Sequence, residues 1–224
     1  MHVLSTKILD HDQRRMLRDT EIQLTEFNCI RTQKLDFKLP DNLKNVIFTS
    51  QQTVHYFVEY ALEANLDLHR IRAYCVGSKT ARSLSECGVK VECYFHYAAD
   101  LAEYIEKHHA EKHFDFLCGN LRRDTLPEKF FDQKISFSET RIYRTELVPH
   151  HWSRAFDVIL FFSPSGVRSH MKRNELTGKE LCICIGNTTA AEILKYTPRV
   201  KIADIPTIEK VLESTKEEYF RRIL

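Results

Sequence analysis

Two stretches of this chain occur twice, in the same order and with nearly the same spacing. Val76-Gly77-Ser78-Lys79-Thr80-Ala81 returns as Ile185-Gly186-Asn187-Thr188-Thr189-Ala190. Phe48-Thr49-Ser50-Gln51-Gln52-Thr53-Val54 returns as Phe161-Phe162-Ser163-Pro164-Ser165-Gly166-Val167. A repeat of this kind implies two similar half-molecules. Each has a strand, a serine-containing turn, a helix, a second strand, a Gly-x-x-Thr-Ala turn and a second helix. With 224 residues the chain has room for two small α/β domains, each with its own core. The repeat predicts that the two face each other.

Glycine is scarce, 6 residues in all, so its positions are informative. Gly77, Gly119, Gly166 and Gly186 fall at or shortly after apolar runs: Tyr74–Val76, Phe114–Cys118, Val158–Phe162 and Leu181–Ile185. Short apolar runs followed by helical periodicity are the pattern of buried parallel strands alternating with helices. After Val46-Ile47-Phe48, residues Val54, Phe57, Val58, Ala61 and Leu62 fall on one helical stripe, as do Ile208, Val211, Leu212 and Phe220 near the C-terminus. The fold class is therefore α/β. Gly88 and Gly178 follow Ala81–Cys87 and Asn174–Thr177, and each is read as closing a helix.

Composition removes several classes of function. Lys and Arg number 33 against 31 Asp and Glu, a net charge of +2, which gives no general drive toward nucleic acid or anionic membranes. The longest apolar stretch, Val158–Phe162, is far below the ~18 residues of a membrane span. Early charges at Asp10, Asp12, Arg14 and Arg15 leave no signal-peptide core, so a cytoplasmic location is expected. Seven cysteines without a C-x-x-C pair predict free thiols, with Cys182 and Cys184 on one face of a strand as core fillers. His109 and His113 have a spacing that can bind metal on a helix, but their surroundings are charged and a solvated face is the expectation. No metal site is assigned.

In an open parallel sheet, ligands bind beyond the carboxyl ends of the strands, where helix N-termini present unpaired N–H groups. The Ser50, Gly77, Gly119, Ser163 and Gly186 turns belong there. Thr80, Thr189, Ser163 and Ser165 fall near helix starts, where a hydroxyl either caps the helix or binds a ligand. Their duplication points to a polyanionic ligand gripped by both halves, with carboxylates or phosphates on the amides. Gly-x-Gly-x-x-Gly and Gly-x-x-x-x-Gly-Lys-Ser/Thr are both absent, which argues against a dinucleotide or ATP cofactor. Arg122 and Arg123, just after Gly119-Asn120-Leu121, suit ligand carboxylates or open solvent equally. Tyr143 lies on an apparent strand, either as a weak general acid or as a packing residue.

Val46–Ser50, Val76–Ala81, Leu117–Arg123, Ile142–Thr145, Phe161–Val167 and Ile185–Ala190, in this order and spacing, resemble the uroporphyrinogen-III synthase family over essentially the whole chain. The resemblance implies two flavodoxin-like parallel-sheet domains joined by a two-stranded connector. Residues 1–32 and 146–224 would form a discontinuous domain and 33–145 an inserted one. It further implies a cytoplasmic, monomeric lyase of haem biosynthesis, working without metal or organic cofactor. The reaction cyclises hydroxymethylbilane to uroporphyrinogen III with loss of water and inversion of ring D through a spiro intermediate. Tyr143 takes the position of the family's tyrosine, and Thr80 and Thr189 those of its threonines. Ser50, Gly119, Asn120, Arg122, Ser163, Ser165, Gly166 and Gly186 become substrate-binding candidates. Thr6-Lys7 and Gln51-Gln52-Thr53 depart from the family's usual Thr-Arg and small residue. A non-catalytic two-domain protein that binds a polyanionic small molecule is the alternative reading.

Overall fold

Strands covered on both faces need apolar residues throughout. Val158–Phe161 meets that demand with every residue buried, and Phe114–Gly119 is likewise buried throughout and apolar or glycine at every position but Asp115, whose carboxylate accepts from the Ser138 hydroxyl. The computed structural model describes residues 1–40 and 42–223. In chain order, its first elements are β1 (His2–Ser5), α1 (His11–Arg15), β2 (Gln23–Glu26), β3 (Ile30–Lys34), β4 (Asn45–Phe48) and α2 (Gln51–Glu63). There follow β5 (Arg72–Val76), α3 (Ser78–Glu86), β6 (Lys90–Phe95), α4 (Ala98–His109), β7 (Phe114–Gly119), α5 (Thr125–Asp132) and β8 (Phe137–Leu147). The last are β9 (Val158–Phe161), α6 (Pro164–Met171), β10 (Leu181–Cys184), α7 (Asn187–Ile193), β11 (Val200–Ile202) and α8 (Ile208–Ile223). The chain divides into two compact units, Met1–Arg31 with Glu146–Leu224, and Thr32–Thr145.

The first unit holds a sheet in the order β11-β10-β9-β1-β2, with β9 beside β1 through Val3 opposite Val158 and every pair parallel. The chain moves outward from β1 to β2, then restarts on the other side of β1 with β9, β10 and β11. The order therefore reverses between β1 and β9. Two apolar layers cover the sheet, one built on Val3, Leu160, Ile183, Val211 and Leu212, the other on Leu4, Phe161, Cys182, Cys184 and Ile193.

The second unit's sheet runs β3-β8-β7-β4-β5-β6, and the strands from β8 to β6 are parallel. Here the order reverses between β4 and β7. Strand β3 runs against β8: Val148 donates to the Cys29 carbonyl, and Leu35 to that of Ile142. Helices α2 and α3 pack on one face through Val54, Phe57, Ala61 and Leu84, while α4 and α5 cover the other through Leu101, Ile105, Leu126 and Phe130.

Three local expectations need correction. Leu62 is 70% exposed, because the buried stripe of α2 follows Val54, Phe57 and Ala61 and leaves Leu62 beyond its border. Phe220 is 40% exposed, since Val211, Thr215 and Tyr219 continue the buried stripe of α8 at steps of four. Gly178 has φ +83° but follows a loop rather than a helix, whereas Gly88, at φ +81°, does follow α3. No described helix is long and apolar enough to cross a membrane.

His170, on α6, is 3% exposed, with its ring edge-on to Phe161 at 5.7 Å. Burial pushes its pKa down to about 4, against an opposing pull from Glu180. The unfolded imidazole therefore takes up a proton between pH ~6.5 and about 4 that the folded one refuses. Stability is expected to fall as pH drops through that window, and His170→Gln should flatten the slope. Urea midpoints measured across the window for both proteins check this; equal slopes would contradict it.

Candidate functional site

Ligands of open α/β sheets sit where the strand order reverses. In the second unit that place lies beyond the carboxyl ends of β4 and β7, where a cavity of about 540 Å³ opens. Ser50, Thr80, Gly119, Arg122 and Tyr143 line it, together with Lys79, Tyr97 and Arg123. Ser50 caps α2: its Oγ accepts from the Thr53 amide at 3.1 Å and lies 2.8 Å from the Thr53 hydroxyl.

Tyr143 reaches this cavity through a defect in the β7–β8 ladder. Cys118 pairs with Arg141, but Gly119 pairs with Tyr143, so one extra residue is accommodated at Ile142. A bulge of this kind re-aims side chains: the successive residues Ile142 and Tyr143 both pack toward the α2 side of the sheet. The Tyr143 ring lies against the backbone of Gly119, where a Cβ would come within 2.4 Å of the ring Cζ. It stacks on Tyr56 at 5.5 Å between centroids, and its hydroxyl is 3.3 Å from Ser50 Oγ. Ser50, Gly119 and Tyr143, from three separate stretches of chain, thus form one constellation.

The remaining predicted residues of this unit differ in how free they are. The Asn120 amide accepts from the Thr145 N–H at 2.7 Å and donates to its carbonyl at 3.2 Å, holding the end of β8. Arg122 donates to Glu139 at 2.6 Å and also pairs with Asp124; these hydrogen bonds, against the effect of partial burial, push its pKa further up. Arg123 and Lys79 are exposed, and neither side chain has an ion pair among the described residues. They are the cations of the cavity available to an anion. Thr80, 4% exposed, is the third residue of α3, whose N-cap Gly77 has φ +92° and offers no side-chain cap.

The first unit repeats the arrangement at its own reversal point, between β1 and β9. Ser163 caps α6, accepting from the Gly166 amide at 3.0 Å, and its Oγ lies 3.0 Å from that of Ser165. Gly166 is packed tightly here: a Cβ would stand 3.3 Å from Ser163 Oγ and 3.5 Å from Thr6 Oγ1. Thr189 is the third residue of α7, which, like α3, begins at a glycine, Gly186, with no side-chain cap. Both Gly-x-x-Thr helices therefore leave their first amides without a side-chain partner, an arrangement suited to anions.

Sequence reasoning missed Thr53 and Tyr56, which hold Ser50 and Tyr143 in place, because their role depends on the register of α2 against β8. The histidines do not assemble: His113 Nδ1 is 2.8 Å from Ser136 Oγ and His109 Nδ1 is 2.9 Å from Lys112 Nζ. Among the described residues no group of three or more His, Cys, Asp or Glu is placed to hold a metal. Asp115 also approaches His113, at 3.9 Å, but its carboxylate is engaged by the Ser138 hydroxyl at 2.7 Å, so Ser136, His113 and Asp115 do not form a relay. Cys182 and Cys184 are buried free thiols whose pKa burial pushes up to about 12, consistent with inert fillers.

Residues 13–213 match the family model described as uroporphyrinogen-III synthase HemD. A curated protein described as porphyrin biosynthesis protein HemD, from Ruminiclostridium josui, is 23% identical over 230 residues, covering 90% of this chain and 45% of that protein. The chain thus spans less than half the length of this curated relative. Among solved structures, the uroporphyrinogen-III synthetase of Helicobacter pylori 26695 superimposes with a TM-score of 0.72 at 19% identity, over 97% of this chain and 99% of that one. A mutant uroporphyrinogen III synthase of the extremely thermophilic bacterium Thermus thermophilus gives 0.71 at 12% identity, over 99% of each chain. At these identities the likeness is one of fold.

Gly119→Ala is expected to drive the Tyr143 ring off Ser50 and Tyr56 and to lower stability by about 1–3 kcal/mol through overpacking. A crystal structure and a denaturation curve of the variant check both; a ring left in place at unchanged stability would contradict the reading.

Proposed function

The chain belongs to the uroporphyrinogen-III synthase family, and on that premise we propose that it closes hydroxymethylbilane to uroporphyrinogen III, with loss of water and inversion of ring D. The observation that carries the proposal is the Ser50–Tyr143–Gly119 constellation at the sheet's reversal point. It sets a phenol hydroxyl at a cavity that also presents Lys79 and Arg123 and the uncapped start of α3.

The substrate is a linear tetrapyrrole bearing many carboxylates. With a net charge of only +2, the protein must hold them locally. The amides at the starts of α3 and α7, the hydroxyls of Thr80 and Thr189, and the Lys79 and Arg123 side chains are the proposed contacts. Arg122 and Asn120 act one step back: the first is fixed by Glu139 and Asp124, the second holds the end of β8 beside Tyr143. Ser163, Ser165, Gly166 and Gly186 are the proposed counterpart in the first unit.

In the proposed sequence the Tyr143 hydroxyl donates to the departing hydroxyl of ring A, leaving an azafulvene. Ring D attacks it through its substituted carbon, and the resulting spiro pyrrolenine fragments and recloses with ring D inverted. The free bilane closes unaided to the type I isomer, so the protein's work is to hold the chain in the geometry that favours the other attack and to stabilise developing charge. Ser50 orients the phenol, and stacking on Tyr56 fixes its plane.

Tyr143→Phe keeps the stacking and removes only the hydroxyl. Turnover of hydroxymethylbilane to the type III product is expected to fall by about 10- to 100-fold with substrate affinity little changed. Initial rates over a range of substrate concentrations separate the two; unchanged turnover would remove Tyr143 from the chemistry.

A further inference from the structure

Alternation along β3 sorts its side chains into two sets. Leu35 donates to the Ile142 carbonyl, a register that sets Lys34 opposite Tyr143 and Thr32 opposite Thr145. Gln33, exposed, follows the same register and accepts from Arg144 at 2.8 Å. Thr32 and Lys34, half-buried, take the other face and reach α2. Tyr56 donates its hydroxyl to Thr32 Oγ1 at 3.0 Å, and Lys34 Nζ pairs with Glu59 at 3.1 Å and Glu63 at 2.7 Å. Tyr56, Glu59 and Glu63 recur at helical steps of three and four, so they form one ridge of α2, with Thr53 one step earlier.

The Tyr143 phenol depends on that ridge. Thr53 lies 2.8 Å from Ser50 Oγ, which in turn lies 3.3 Å from the Tyr143 hydroxyl, and the Tyr56 ring stacks on that of Tyr143 at 5.5 Å with 29° between the planes. Tyr143 is therefore confined between the backbone of Gly119 and the ring of Tyr56. The first wall is main chain. The second is a side chain with two rotatable bonds, and the hydrogen bond to Thr32 holds its far end. Tyr56 is 8% exposed. Without Thr32 its hydroxyl loses its partner, and a buried hydroxyl left unpaired favours a swing of the ring toward water.

We infer that Thr32 is a positioning residue of the candidate site: its hydroxyl sets the Tyr56 ring, and through that ring the place of the Tyr143 phenol. Thr32 itself is not part of the cavity wall, so its effect is carried wholly by Tyr56. The kinetic consequence rests on the reaction proposed above, whereas the geometric one stands without it.

Thr32→Val keeps the shape of the side chain and its β-branching and removes the hydroxyl; Thr32→Ser keeps the hydroxyl. With hydroxymethylbilane, kcat for the type III product is expected to fall about three- to tenfold in Thr32→Val with KM within about twofold, and Thr32→Ser should restore kcat to within about twofold of the unmodified chain. Tyr56→Phe added to Thr32→Val should cost little beyond either change alone, because both remove the same bond. In carbon-13-labelled tyrosine spectra, with the Tyr143 ring signal assigned by its loss in Tyr143→Phe, that signal should shift in Thr32→Val and stay in place in Thr32→Ser. An unchanged kcat in folded Thr32→Val, a fall that Thr32→Ser does not rescue, or a Tyr143 signal that does not move would overturn the inference. If Thr32→Val does not fold, Tyr56→Phe removes the bond from its other side and is read in the same way. If the unmodified chain makes no type III product, the proposed reaction fails and the Tyr143 signal decides the inference alone.

Discussion

The Tyr143 ring occupies the space that a side chain at position 119 would need, and the candidate site is arranged around that exclusion. A single extra residue at Ile142 breaks the alternation of β8 and sets Tyr143 opposite Gly119. From there the ring can lie on bare backbone, stack on Tyr56 and reach Ser50. Without the bulge, Ile142 and Tyr143 would point to opposite faces of the sheet. Asn120 reinforces the same stretch by taking both backbone groups of Thr145.

The rest of the site depends on parallel topology. Parallel strands joined by helices bring every helix start to the same edge of the sheet, and reversal of strand order leaves a gap there. Both units have such a gap, between β4 and β7 in one and between β1 and β9 in the other. In each, a serine caps the helix that follows one bordering strand, and a neighbouring helix starts at an uncapped glycine. The first device stabilises the turn; the second leaves amides available to an anion. Duplication thus supplies two sets of donors within a chain whose overall charge is nearly balanced.

Much of this was legible in the sequence. Strands buried on both faces betray themselves as short apolar runs, and the repeated Phe-x-Ser and Gly-x-x-Thr-Ala stretches marked the helix starts. Features that depend on register were not legible. Nothing in Arg141-Ile142-Tyr143 announces a bulge, and Arg122, which suited a ligand carboxylate on paper, meets Glu139 only because the fold brings the loop before α5 onto β8. Phe220 lost its expected burial to Tyr219 because a helix sixteen residues long keeps a narrow stripe, and a step of one residue rotates a side chain by about 100°.

The most direct test of the central claim is chemical. The purified chain is incubated with freshly prepared hydroxymethylbilane, the products are oxidised, and the type I and type III uroporphyrins are separated by chromatography. Type III product in excess over a control without protein is the expected result. Type I product alone, from protein whose fold is verified by circular dichroism, would contradict the claim and leave a polyanion-binding protein in place of an enzyme.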